Sequence, residues 1–162
     1  MISFKEENSA LYMKAEGHIT AQCCPQLKRK VFERIDIDPP VNHIYVDLSE
    51  CTYMDSTFLG LLVGFSRHIS ARGGKLEVQH ADEVSLSLFR QMGMDRILSI
   101  NQVTVPLPEN MVNMQNNSSL TADELLSAHE DLMSISDDNK KRFLTLHEIL
   151  SKQVKEKKDS EN

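Results

Sequence analysis

Three adjacent residues, Asp55, Ser56 and Thr57, place a carboxylate and two hydroxyls at the start of a long apolar run. Before them, Ile44 to Leu48 has the character of a buried strand. After them, Phe58-Leu59-Gly60-Leu61-Leu62-Val63-Gly64 reads as a helix. A helix start is a set of N–H groups without intrahelical partners, so small oxygen-bearing side chains belong there. Ser56 is therefore either a residue that opens the helix or a hydroxyl displayed for chemistry.

Other chemistry is poorly provided for. No Gly-rich phosphate loop of either common spacing is present, and no G-x-S-x-G elbow. A serine with no placed base is not a nucleophile candidate. His18, His43, His68, His80, His129 and His147 are scattered, and each reads as a surface or helix residue. Neither they nor Cys23, Cys24 and Cys51 have zinc-ligand spacing, so no metal and no cofactor is expected. Asp137-Asp138 reads as a helix cap, and Lys140, Lys141 and Arg142 as a solvated face. An enzyme or nucleotide-binding protein ranks last among the readings.

Composition narrows the partners. A net charge of −6 lacks the basic stripe that phosphate binding needs, and the absence of Trp argues against a stacking groove, so no direct nucleic-acid partner is expected. No apolar run nears the ~20 residues that span a bilayer, and the first ten residues lack signal-peptide character. The expectation is a cytoplasmic protein with no membrane partner, its thiols buried or incidental.

The elements that must position Ser56 follow from periodicity. Ile2 to Glu6 and Leu11 to Gly17 read as a hairpin across Glu7-Asn8-Ser9. Thr20 can cap a helix beginning near Ala21, with Pro25 in its first turns and Leu27, Val31 and Ile35 on its apolar stripe. Asp38-Pro39-Pro40 ends it. Ile44 to Leu48 is the central strand, Ser49 to Met54 a short polar loop, and Ser56 to Ser70 a helix apolar over most of its circumference. Gly60 and Gly64 share one face of it; each costs about 1 kcal/mol relative to Ala, which close packing against the sheet would explain. In Lys75 to His80, Leu76 and Val78 point in while Glu77 and Gln79 point out. A helix from Glu83 to Met92 is closed by Gly93, and Ile97 to Ile100 is an edge strand. The order β-β-α-β-α-β-α-β, ending near Val105, implies an α/β fold: a mainly parallel mixed sheet with helices packed against it and an antiparallel strand from the opening hairpin.

Residues 106–119, with two prolines and four asparagines, read as a linker that docks in part through Met111, Val112 and Met114. A C-terminal helical extension spans 120–162. Thr121-Ala122-Asp123-Glu124 has the pattern of a capping box. Leu125, Leu126, Leu132, Met133 and Ile135 follow, then a break at Ser136-Asp137-Asp138. Phe143, Leu146, Ile149, Leu150 and Val154 repeat beyond it, and Lys155 to Asn162 is a charged tail expected to fray. This apolar stripe must cover the domain, a second copy or a partner.

The stretch VDLSECTYMDSTFLGLLVG resembles the signature of the STAS domain, the fold of bacterial anti-sigma factor antagonists. The family pattern is a strand ending in Asp-Leu-Ser, a short loop, Asp-Ser-Ser/Thr, usually Gly, and Leu-Gly opening a helix. Asp47, Leu48, Ser49, Asp55, Ser56, Thr57, Leu59 and Gly60 match it, and the resemblance covers residues 1–105. It implies a non-enzymatic regulator of transcription by partner switching. The serine at Ser56 would be the phosphoacceptor of an anti-sigma factor that is also a serine protein kinase, and a serine phosphatase would reverse the modification. The unphosphorylated form would bind the kinase. The residue physics is compatible: a helix N-terminus favours an anion, so the fold would tolerate the phosphate. The added charge of about −1.5 to −2 beside Asp55 would repel a partner fitted to the neutral hydroxyl. The expected contact surface is the loop Ser49 to Met54 with the first turn Asp55 to Phe58, and Ser49, Met54, Asp55, Thr57 and Phe58 are its expected contact residues. Two residues depart from the pattern. Phe58 replaces the usual Gly, as an exposed contact or a core residue, and Thr20 stands where many antagonists have Asp. The alternative is a STAS scaffold without phosphorylation, or an oligomerisation module acting through its C-terminal helices, with Ser56 a simple cap.

Overall fold

The computed structural model describes residues 1–115 and 119–162. Strands β1 (Ile2–Glu7) and β2 (Ala10–Ile19) form an antiparallel hairpin, with Asn8 and Ser9 in the left-handed region at its tip. Three further strands run parallel to β2, each paired to the one before: β3 (His43–Met54), β4 (Lys75–Gln79) and β5 (Ser99–Ile100). A two-residue strand, β6 (Val112–Asn113), adds antiparallel to β1. The mixed sheet has the order β5-β4-β3-β2-β1-β6. Helices α1 (Leu27–Asp36), α2 (Ser56–Ser70) and α3 (Glu83–Gln91) are the crossovers between the parallel strands. They are followed by α4 (Ala122–Met133) and α5 (Asp137–Ser160). The alternation expected from the sequence is the one observed.

Several details differ, for identifiable reasons. The polar segment Ser49 to Met54 is not a loop. It continues β3, because β2 is long enough to pair with it as far as Ile19 opposite Met54, across two irregularities of register. Glu77 and Gln79 are buried: Glu77 is paired with Lys75, and Gln79 is covered by the chain after β5, exchanging hydrogen bonds with the Val105 backbone at 3.0 Å in each direction. Thr20 opens only a single 3₁₀ turn, Ala21–Cys23, without a side-chain cap, and α1 begins beyond Pro25. The charged tail stays helical as far as Ser160. In the linker, β6 and the buried Met114 dock on the hairpin edge, while 116–118 lie outside the described residues.

The C-terminal helices pack on the domain itself. Thr121 and Glu124 form the capping box reciprocally, and Ser136 caps α5 by accepting from the Asn139 amide. Helix α2 lies between the sheet and α4, which is why it is buried nearly all round. Gly60 and Gly64 face α4 and not the sheet. A β-carbon on Gly60 would lie 2.6 Å from the carbonyl carbon of Ala128, and one on Gly64 would lie 2.8 Å from an Asp131 carboxylate oxygen. Polar ties surround this contact. Lys28 Nζ donates to Ser127 Oγ (2.8 Å), and Arg67 donates to Ser134 Oγ (2.5 Å). Fully buried Asn139 donates through Nδ2 to the carbonyls of Met92 and Leu132, both at 2.9 Å. No helix among the described residues is long and apolar enough to cross a membrane.

Candidate functional site

Asp55 is the residue that organises the start of α2. Its extended backbone ends β3, and its carboxylate accepts from the Phe58 amide (3.0 Å) and the Ala21 amide (2.7 Å). Its own N–H donates to the Ile19 carbonyl at 3.0 Å. One side chain thus caps α2 and the 3₁₀ turn after β2 together. Capping belongs to Asp55, so Ser56 is the first helical residue and its hydroxyl is not needed for the cap.

The Ser56 hydroxyl meets His129 of α4, with Oγ 2.9 Å from Nε2. His129 Nδ1 lies 2.7 Å from the Leu125 carbonyl, which can only accept, so the hydrogen-bond network assigns the proton to Nδ1. With the proton on Nδ1, Nε2 is placed to accept from Ser56. The imidazole is 2% exposed and packs edge-on against Phe143. Sequence reasoning placed His129 among scattered surface or helix residues. The signal it carried was spacing: four after Leu125 and three before Leu132, on the buried stripe of α4.

Ser56 also borders a groove of about 740 Å³ between the end of β3 and α3. Thr52, Tyr53 and Asp55 line one wall, Val84 and Leu88 the other. Tyr53 and Val84 are 52% and 75% exposed, so the rim is open and partly apolar. The expected contact residues do not all reach this surface. Thr57 and Phe58 are buried, at 4% and 1%, away from the groove, while Met54, 5% exposed, lines it. Phe58 enters the core beneath the first turn of α2. Ser49 is exposed, but its N–H and hydroxyl both donate to Asp47 Oδ1, at 2.9 and 2.5 Å. Thr52 and Tyr53 lie within the expected contact segment, and Val84 is the exposed residue that sequence reasoning passed over.

Asp47 anchors a second polar cluster. Besides Ser49, it accepts from Gln79 Nε2 (2.8 Å) and meets His80 Nδ1 at 2.7 Å. Burial pushes its carboxyl up, but the hydrogen bonds from Ser49, Gln79 and His80 outweigh that and hold it below the ordinary carboxylate range. Burial raises the Cys24 and Cys51 thiols, so neither is poised as a thiolate. Among the described residues, no group of three or more His, Cys, Asp or Glu side chains could hold a metal ion.

Residues 2–100 match the family model described as Mlab, STAS domain. The chain belongs to the STAS family. The anti-sigma-B factor antagonist of Bacillus subtilis is 25% identical over 100 residues, covering 62% of this chain and 89% of that protein. The structure of the anti-sigma factor antagonist SpoIIAA in its unphosphorylated form aligns with a TM-score of 0.54 at 18% identity, over 64% of this chain and 90% of that one. The phosphorylated form of SpoIIAA, a Bacillus cell fate determinant, aligns at 0.53 and 17%, over 62% and 90%. The STAS domain of this chain is thus similar to anti-sigma factor antagonists, and α4 and α5 lie beyond the family match.

Proposed function

We propose that this STAS protein is an anti-sigma factor antagonist, switched at Ser56 by phosphorylation and binding an anti-sigma factor that is also a serine kinase. The observation that carries the reading is the division of labour at the start of α2. Asp55 takes the cap, so the Ser56 hydroxyl sits at a helix N-terminus beside an open groove without being required for the helix. A phosphate there would find favourable dipole and N–H character. It would also add a dianion beside Asp55, against any partner seated over Thr52, Tyr53 and Val84. Transcription would be the regulated output, and a serine phosphatase would reset the switch in the cytoplasm.

The test is mass spectrometry of the protein purified from its native cells, followed by capture of the kinase partner on wild type, Ser56→Ala and Ser56→Asp. Phosphate on Ser56, with binding weakened by Asp, is the expected result. An unmodified Ser56 across growth conditions, or equal binding by all three, would overturn it.

A second reading rests on one flank of α5, where Leu146 and Ile149, three residues apart, are 37% and 51% exposed. A scaffold that self-associates through this face would dissociate on Ile149→Lys, which sedimentation would detect.

A further inference from the structure

We propose that the α4–α5 hairpin is an intramolecular cover over Ser56, and that its docking and a negative charge on Ser56 exclude one another. The consequence for phosphorylation rests on the reading of Ser56 as phosphoacceptor; the exclusion itself does not.

The Ser56 hydroxyl is spent on His129. A phosphoryl group turned into the groove that Ser56 borders would abandon this bond and leave the buried Nε2 without its donor. One kept toward α4 would meet the imidazole. The ring cannot step aside alone. Nδ1 is tied to the Leu125 carbonyl within the same helix, and Phe143 of α5 packs against the ring in a T-shaped contact. Making room on the side of the imidazole therefore means moving α4. An ionised carboxylate or phosphate at position 56 also carries no proton for the Nε2 that accepts from the hydroxyl.

The seat of α4 combines a close fit with two polar groups that weigh against it. Gly60 lets the Ala128 backbone come within contact of α2, so the close fit depends on a missing β-carbon. Ala128, Leu132 and Phe143 supply apolar burial. Against this, the Asp131 carboxyl is pulled into the contact, where burial raises its pKa despite Arg67 and Lys28. Asn139 Oδ1 is buried with no partner among the described residues. Both offset the gain from burial. A protein that reads Ser56 must therefore displace a contact that is attached to the same chain, and so is always at high local concentration. Release would free the side of Ser56 that faces α4 and the outer face of α2 in one step.

Hydrogen–deuterium exchange on the full chain tests the cover, comparing wild type with Ser56→Glu, His129→Ala and Gly60→Ala. Each variant should speed exchange in α4 by about tenfold or more, while β3 and β4 keep wild-type protection, as expected for local opening. Should Gly60→Ala loosen β3 as well, the other two variants decide. Unchanged or increased α4 protection in Ser56→Glu would overturn the proposal, since the charge would then be accommodated or clamped by His129. Phosphate occupancy at Ser56 in cells separates the two ideas. Ser56 phosphorylated, with α4 equally protected in Ser56→Glu, removes the cover and leaves the switch. Ser56 never phosphorylated, with α4 freed by Ser56→Glu, removes the switch and leaves the cover.

Discussion

Ser56 and His129 stand 73 positions apart in the chain and share a hydrogen bond of 2.9 Å. The bond joins the signature turn of a STAS domain to a helix outside the family match. Ser56→Ala would strip the donor from a buried nitrogen, which costs about 1–3 kcal/mol. His129→Ala would lose the same bond and the edge contact with Phe143. If the two residues act through each other, the double variant costs less than the sum of the single ones. The expected coupling is about 0.5–3 kcal/mol, measured by urea denaturation of the full chain. Additive costs would mean that Ser56 serves its helix and not His129.

Gly60 and Gly64 separate intrinsic helix propensity from docking. Replacing either with Ala favours α2 by about 1 kcal/mol. At Gly60 the new methyl meets backbone, which cannot swing away, and overpacking of this kind costs about 1–3 kcal/mol. At Gly64 it meets the end of the Asp131 side chain, which can rotate. Gly60→Ala should therefore lower the unfolding midpoint and Gly64→Ala should leave it unchanged or raise it. The reverse order would contradict the close approach of α4.

The sheet and its crossovers were legible because strand and helix leave their periods in the sequence, and Asp55-Ser56-Thr57 marked the start of α2 by residue type alone. What escaped depended on distant partners. The strand character of Ser49 to Met54 comes from β2, since polar residues there look like a loop until an edge is placed beside them. Gln79 broke the in-out alternation because Val105 folds over it. The spacing of Gly60 and Gly64 pointed to a close approach but could not say to what. His129 lay on an apolar stripe, and a stripe names a buried face without naming its neighbour.

The Asp47 cluster should show itself in acid. Its carboxyl is held below the ordinary range in the folded protein, so the folded state binds this proton less readily than the unfolded chain does. The stability it contributes is complete above the ordinary aspartate value of about 3.9 and is lost as pH falls through the lowered value. Asp47→Ala should remove that part of the acid dependence. It should also cost about 1–3 kcal/mol at neutral pH for each donor left buried without an acceptor, Gln79 Nε2 foremost. Denaturation midpoints between neutral pH and pH 3 check both effects; an unchanged acid profile would place the lowered group elsewhere.

Asp131 has the opposite sign. Burial against α2 raises its carboxyl above the ordinary value, with Arg67 and Lys28 opposing the shift. The folded state therefore holds this proton more readily than the unfolded chain. The charged form weighs against the docked hairpin at neutral pH, and that penalty disappears as pH falls through the raised value toward the ordinary one. Asp131→Asn keeps the shape and removes the charge, so it should stabilise the protein at pH 7 and lose its advantage near pH 4. If the variant is less stable than wild type at pH 7, the 3.9 Å pairing with Arg67 outweighs the cost of burying the carboxylate, and electrostatics would then hold the hairpin down.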